Sequence, residues 1–295
     1  MITLSGKAVV ITGAGQGIGA AFAHAVAARG AAVVVNDING KLAESVVEEI
    51  SAKGGKAIAA VADISTHKGA ESLIQSCVDV FGKIDGLVNN AGMIRPDKLV
   101  DVKESDLRLM VEVNVLGAFF CAQHAAREMT ARGRGSIVNM CSGSHTGAAT
   151  LSAYSGSKGA VGSFTYSWAL ELAPAGIRVN AILPMGETQM RNINDSYRAS
   201  QGLGAHPSPV VPASANAGVL EYLLSDASVA VTGQMINIEG ERMTLYVHPG
   251  RQYPILERES WTAESVEEAF KGELATRLMP AGTALLKVEV IKKSG

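Results

Sequence analysis

The chain has 295 residues, 47% apolar and 18% charged, enough to build a sizeable core in one large α/β domain or two small ones. Its formal net charge of −2, with acidic and basic residues interspersed, leaves no basic footprint for nucleic acid. No apolar run reaches a membrane span, the strand-like opening MITLSGKAVVITG leaves no room for a signal peptide, and Cys77, Cys121 and Cys141 lack pairing or metal-ligand spacing.

These features predict a cytoplasmic, enzyme-sized protein without a metal, its cysteines serving as small buried groups in a reducing compartment. Along the chain, β-branched apolar runs mark strands at 7–11, 32–36, 56–61, 84–88, 135–141, 178–183 and 234–238. Helical periodicity falls between them at 17–29, 40–52, 68–81, 106–131 and 152–173. Strands without polar alternation suit a parallel sheet covered on both faces, and the strand–helix–strand order predicts a doubly wound α/β fold. Residues 186–212, with several Asn, Ser, Gly and Pro, read as a long loop that covers a site or is disordered. No linker divides residues 1–240, which form the expected main domain. Residues 241–295 form a C-terminal appendage, with a strand-like MTLYV, an amphipathic pattern over 264–278 and an apolar ALLKVEVI.

TGAGQGIG, Thr12 to Gly19, lies between the first strand and the first helix. Gly13 permits a tight turn, while Gly17 and Gly19 clear side chains from the helix N-terminus, where backbone N–H groups can face a pyrophosphate. Asp37 ends the second strand about 20 residues later, where a carboxylate accepts from an adenosine ribose and repels a 2′-phosphate. No Arg or Lys lies in the glycine turn or at Asn36 or Ile38 to hold such a phosphate, so NAD is favoured over NADP. Asp37 could instead cap the next helix, as could Asn39. Asp63, after the third strand, fits either an adenine contact or a cap for residues 65–68. Asn89-Asn90-Ala91-Gly92 ends the fourth strand with small residues and side chains able to brace backbone.

Tyr154 and Lys158, four apart at the start of a helix, project from one face. An ammonium beside a phenol favours the phenolate and lowers a pKa that starts at about 10, which predicts a general base working near neutral pH. Ser142 ends the fifth strand, where its hydroxyl can polarise a substrate oxygen; Ser144 competes for that part, and Ser155 and Ser157 read as local helix residues. Asn114, polar among LMVEVNVLGAFF, either holds a water that links Lys158 to solvent or bonds local backbone.

TGAGQGIG, NNAG, Asn114, Ser142 and YSGSK, in this order and spacing, resemble the short-chain dehydrogenases/reductases over roughly residues 1–240. The resemblance implies a Rossmann-like, seven-stranded parallel sheet, catalysis by Asn114, Ser142, Tyr154 and Lys158, and a homotetramer. It implies cofactor contacts at Gly13, Gln16, Gly17, Ile18, Gly19, Asp37, Ile38, Asp63 and Ile64. Further contacts fall on Asn90, Ala91, Gly92, Tyr154, Lys158, Pro184, Gly186 and Thr188. Three departures stand out: Pro184-Met185-Gly186 replaces the usual Pro-Gly, Cys141-Ser142 replaces paired serines, and IEGERMTLYVHPG replaces the usual ending.

VVVNDINGK, VVEEISAKGGKAIA and PMGETQM are similar to the hydroxyacyl-CoA dehydrogenase part of peroxisomal multifunctional enzymes. The expected activity is hydride transfer between NAD and a secondary alcohol or ketone, with a 3-hydroxyacyl-CoA as the leading substrate class. Arg95, Lys98, Arg191 and Arg198 are candidate cations for the CoA phosphates. The alternative is a dinucleotide-binding sensor or scaffold of the same fold without turnover, against which stands the presence of both Tyr154 and Lys158. His248-Pro249-Gly250 and Trp261 either close over the active site or serve oligomer packing.

Overall fold

Side chains of a strand alternate between faces, and the central strands here are apolar at nearly every position, so both faces must be covered. The computed structural model describes residues 2–204, 210–250, 252, 255–279 and 282. In chain order the elements are β1 (Ala8–Ile11), α1 (Gly17–Ala28), β2 (Ala32–Asp37), α2 (Gly40–Ala52), β3 (Lys56–Val61), α3 (His67–Phe81) and β4 (Gly86–Asn89). Then follow α4 (Glu104–Val111), α5 (Ala118–Arg132), β5 (Gly135–Met140), α6 (Ser152–Leu172), β6 (Ile177–Pro184), α7 (Gln189–Ser200) and α8 (Ala217–Leu224). The chain continues through β7 (Met235–Glu239), β8 (Arg242–Leu245) and α9 (Ala263–Lys271).

The sheet runs β3-β2-β1-β4-β5-β6-β7-β8, parallel from β3 through β7. On one face Val9, Ile11, Val33 and Val35 pack with Phe22, Val26, Val46 and Leu220 of α1, α2 and α8. On the other, Ala8, Val10, Val34 and Ile137 pack with Leu73, Cys77, Cys121, Met129 and Trp168 of α3, α5 and α6. All three cysteines are free and buried, as expected. Strand order reverses between β1 and β4, which opens a crevice at their carboxyl ends.

Among the described residues the sheet has eight strands where seven are expected. The extra strand, β8, pairs antiparallel with β7, Glu239 opposite Arg242, through a hairpin in which Gly240 takes φ +63°. A strand–helix–strand rhythm has no place for a hairpin strand, so MTLYV read as part of the appendage. The segment read as a loop over 186–212 holds α7, capped by Thr188, whose side chain accepts from the Arg191 N–H at 3.2 Å. Its polar composition hides the helix.

The helical stretch Glu104–Arg132 is long and apolar enough to cross a membrane by length and composition, contrary to the expectation that no run qualifies. Its apolarity has another physical use here, because Cys121, Ala122, Ala125 and Met129 are buried in the core under the sheet.

By its contacts the chain divides into two units, Met1–Tyr246 and Val247–Gly295. In the second unit, Thr262 and Ser265 form a reciprocal capping box on α9. Arg258 reaches Glu268 at 2.8 Å and lies 5.4 Å from the Trp261 ring. The amphipathic pattern over 264–278 is helical only to Lys271, because Gly272 follows; a short 3-10 turn covers Ala275–Arg277. The apolar ALLKVEVI lies outside the described residues.

Candidate active site

The first turn of α1 has neither a side-chain cap nor an acidic residue, which leaves its N–H groups and the positive end of the helix dipole for an anionic ligand. Gly13 has φ +58°, and a Cβ there would stand 2.8 Å from Cα of Ala91. A Cβ on Gly19 would meet the Gly13 carbonyl and stand 2.5 Å from Nδ2 of Asn90. The loops after β1 and β4 therefore touch backbone to backbone. Asn90 secures this contact by donating to the carbonyls of Thr12 and Gly13, at 2.9 Å each. Thr12, which sequence reasoning passed over, accepts the N–H groups of Asn90 and Ala91 at 3.0 and 2.9 Å.

Asp37 turns its carboxylate toward the glycine turn and accepts the N–H of Gly15 at 3.1 Å and of Asn39 at 3.0 Å. Gly15 was also passed over; a Cβ there would stand 2.8 Å from Oδ2 of Asp37. Ile38 is exposed beside it. Asp63 accepts both the N–H and the hydroxyl of Ser65, at 3.0 and 2.7 Å, while Thr66 is the residue that caps α3. Ile64 is buried, and a Cβ on Gly117 would stand 2.9 Å from its Cδ1. Pro184 closes β6, and a Cβ on Gly186 would lie 3.3 Å from Ile18. The Thr188 methyl faces Gly17, and Gln16 donates to Gln189 at 3.2 Å. The segment after β6 thus lies along the glycine turn. An uncapped helix start, a cradle that side chains would fill and a carboxylate at the end of β2 fit a dinucleotide.

At the reacting end, Lys158 is buried and its Nζ donates to the Met140 carbonyl at 2.7 Å. That nitrogen lies 5.8 Å from the Tyr154 ring centroid and 3.6 Å from where a Cβ on Gly92 would stand. Burial pushes the Tyr154 phenol up to about 12, opposed by a hydrogen bond with Ser142. Proximity to Lys158 predicts the opposite sign. The correction has a geometric cause: the ammonium is bonded to a β5 carbonyl, with its own pKa lowered by burial, so desolvation governs the phenol.

Asn114 lies in a π-helical turn, Glu112–Gly117, that joins α4 to α5. Its Oδ1 accepts the Met93 N–H at 2.8 Å, and its Nδ2 donates to the Met93 carbonyl at 2.9 Å and to Ser157 Oγ at 3.0 Å. Its partners are therefore not local backbone: they belong to the loop after β4 and to α6. Ser157, read as a local helix residue, accepts that bond while donating to the Tyr154 carbonyl at 2.7 Å. Cys141 is buried with its thiol pushed up to about 11, chiefly by desolvation, and points at the Lys158 carbonyl at 3.3 Å, which does not suit a nucleophile.

Ser142 opens a 3-10 turn, Gly143–Thr146, and its Oγ accepts from Ser144. His145 donates from Nδ1 to the Ser142 carbonyl at 2.7 Å, and its ring meets Tyr246 edge-on at 5.1 Å. Tyr246, just past β8, places its hydroxyl 3.1 Å from where a Cβ on Gly143 would stand. No local motif marks Tyr246, because only the hairpin brings it here.

The short chain dehydrogenase family profile matches residues 7–198. The (2S)-[(R)-hydroxy(phenyl)methyl]succinyl-CoA dehydrogenase subunit BbsD of Thauera aromatica is 35% identical over 247 residues, 81% of this chain and 97% of that one. A short chain dehydrogenase from Mycobacterium avium superposes with a TM-score of 0.83 at 29% identity, covering 95% of this chain and 98% of that one. A gluconate 5-dehydrogenase from Burkholderia cenocepacia, in complex with NADP and tartrate, gives 0.72 at 32% identity, covering 81% and 96%. Profile, sequence and fold agree: the chain belongs to the short chain dehydrogenase family and is an oxidoreductase acting on CH–OH groups.

Proposed function

We propose that this protein is an NAD-dependent dehydrogenase/reductase that interconverts a secondary alcohol and a ketone, with a 3-hydroxyacyl-CoA as its substrate class. The observation that carries the chemistry is the convergence of Lys158 and Asn114 on Gly92, next to Ala91, which itself touches the glycine turn at Gly13. It joins a proton-handling helix to a dinucleotide cradle. NAD, when bound, supplies the hydride acceptor. Tyr154 gives its proton to the developing alkoxide in reduction and takes it in oxidation, Ser142 polarises the substrate oxygen, and Lys158 places its amine between the Tyr154 ring and Gly92. Asn114 holds Met93, and through it the loop that bears Gly92.

Asp37 supports NAD over NADP, since it makes no ion pair among the described residues and a carboxylate repels a 2′-phosphate. The thioester assignment rests on the Thauera relative, whose name specifies a CoA substrate, and on Arg95 and Lys98, both exposed past β4, Arg95 lying 3.9 Å from Asp106. Of the other expected cations, Arg198 donates to the carbonyls of Leu203 and Gly204, and Arg191 lies 3.4 Å from Asp195. A homotetramer in the cytoplasm completes the proposal. Its subunit contact is assigned to a groove of about 510 Å³ between α5 and α6, where Phe119, Trp168 and Leu172 lie beside Gln123, Arg127 and Glu171.

The test is turnover of a 3-hydroxyacyl-CoA with NAD by the wild type and by Tyr154→Phe, beside the matching pantetheine thioester. The expected result is loss of about 10²–10⁴-fold in the variant with NAD binding retained, and much poorer use of the pantetheine analogue. Unchanged turnover in Tyr154→Phe refutes the catalytic assignment. Equal use of the two thioesters refutes the CoA assignment alone.

A further inference from the structure

The hydroxyl of Ser142 has one proton to give and two acceptor positions to fill. The backbone N–H of Ser144 donates to Ser142 Oγ at 3.2 Å. The hydroxyl oxygens of the two serines lie 3.0 Å apart, so one of them donates to the other. In that pair the Ser144 hydroxyl is the donor and Ser142 Oγ the acceptor. With the Ser144 N–H and O–H both on it, Ser142 Oγ has its acceptor positions filled, and its own proton is left for the reacting end. Ser144 is held in place to do this, because the 3-10 turn over Gly143–Thr146 closes with the Gly147 N–H on the Ser144 carbonyl at 2.8 Å.

We propose that Ser144 is a positioning residue for the proton-transfer centre: its N–H and O–H fill the acceptor sites of Ser142 and leave the Ser142 proton for the reacting end, where Tyr154 meets the substrate oxygen. This rests on the assignment of Ser142 and Tyr154 under the proposed function. A chain of hydroxyls polarised in one direction strengthens its last donor, so Ser144 acts on the tyrosine without touching it. No bond is made or broken at Ser144; it sets which way the neighbouring proton points.

The test labels tyrosine Cζ with ¹³C and identifies the Tyr154 resonance by its loss in Tyr154→Phe. Ser142→Ala should move that resonance, Ser144→Ala should move it the same way by a smaller amount, and Ser144→Thr, which keeps the hydroxyl, should leave it in place. With 3-hydroxybutyryl-CoA and NAD, Ser144→Ala should lower kcat roughly 3- to 10-fold, the span of one neutral hydrogen bond, with KM within about twofold of wild type. The pH midpoint of oxidation should also move upward, because a weaker donor stabilises the phenolate less. A Tyr154 resonance that answers to Ser142→Ala and not to Ser144→Ala overturns the inference, as does a Thr variant that behaves like Ala. Failure of the underlying assignment looks different: Ser142→Ala would then leave both the resonance and kcat unchanged. The resonance decides the matter whichever alcohol the enzyme uses.

Discussion

Two helical glycines should respond in opposite directions to the same change. Replacing glycine by alanine inside a helix gains up to about 1 kcal/mol from backbone entropy alone. At Gly218 in α8 a new Cβ meets nothing within 4 Å, so Gly218→Ala should stabilise by most of that amount. At Gly19 in α1 the new methyl would drive into the Gly13 carbonyl and lie 2.5 Å from Asn90 Nδ2 and 2.9 Å from Ala14 Cα. Overpacking of this kind costs about 1–3 kcal/mol, and pushing Asn90 aside endangers two hydrogen bonds worth about 0.5–1.5 kcal/mol each. Gly19→Ala should therefore destabilise by about 2–4 kcal/mol. It should also weaken NAD binding at least tenfold, because the same contact fixes the start of α1 against the loop after β4. Urea unfolding and calorimetric titration with NAD measure both quantities. If Gly19→Ala proved as stable as Gly218→Ala and bound NAD like the wild type, the backbone contact between these loops would not be what holds the cofactor cradle.

Three further outcomes are expected. Because burial holds the Tyr154 phenol protonated up to about 12, the reductive direction, which needs the proton, should be nearly flat from pH 6 to 8. The oxidative direction, which needs the phenolate, should climb with pH over that range; initial rates in both directions check this, and an oxidative rate that falls as pH rises contradicts it. Asp37→Ser removes the carboxylate that accepts from Gly15 and repels a 2′-phosphate, so NAD affinity should fall and the NAD-to-NADP preference should drop tenfold or more by titration. Tyr246→Ala deletes the ring against His145 and next to Gly143, on the turn that Ser142 opens, and should raise KM for the acyl substrate several-fold while leaving NAD affinity unchanged; equal KM values would show that this contact does not shape the substrate site.

Much of the fold is legible in order because parallel strands buried on both faces read as unbroken apolar runs, each closed by a helix of regular period. The boundaries of β3 and α2 match the runs at 56–61 and 40–52 residue for residue. What periodicity cannot register is a change of hydrogen-bond pattern within one apolar stretch: the run 106–131 is helical throughout, yet it switches to π spacing at Glu112–Gly117. Nor can it register α7, whose polar residues look like loop until Thr188 caps them.

The same division holds at the site. The sequence alone determines which groups are present at the reacting end, because Tyr154 and Lys158 are neighbours on one helix face at any tertiary arrangement, and glycines before α1 leave its N–H groups bare whatever lies opposite. Tertiary structure decides what those groups do. The sign of the phenol's pKa shift depends on where Lys158 points, and it points at Met140 of β5. The partners of Asn114 are Met93 and Ser157, 21 and 43 residues away in the chain. Tyr246 reaches His145 only because a hairpin adds a strand to the sheet edge. Local spacing encodes contacts within a helix or a turn, whereas burial, donor direction and contacts between distant loops exist only once the sheet has brought its carboxyl ends together.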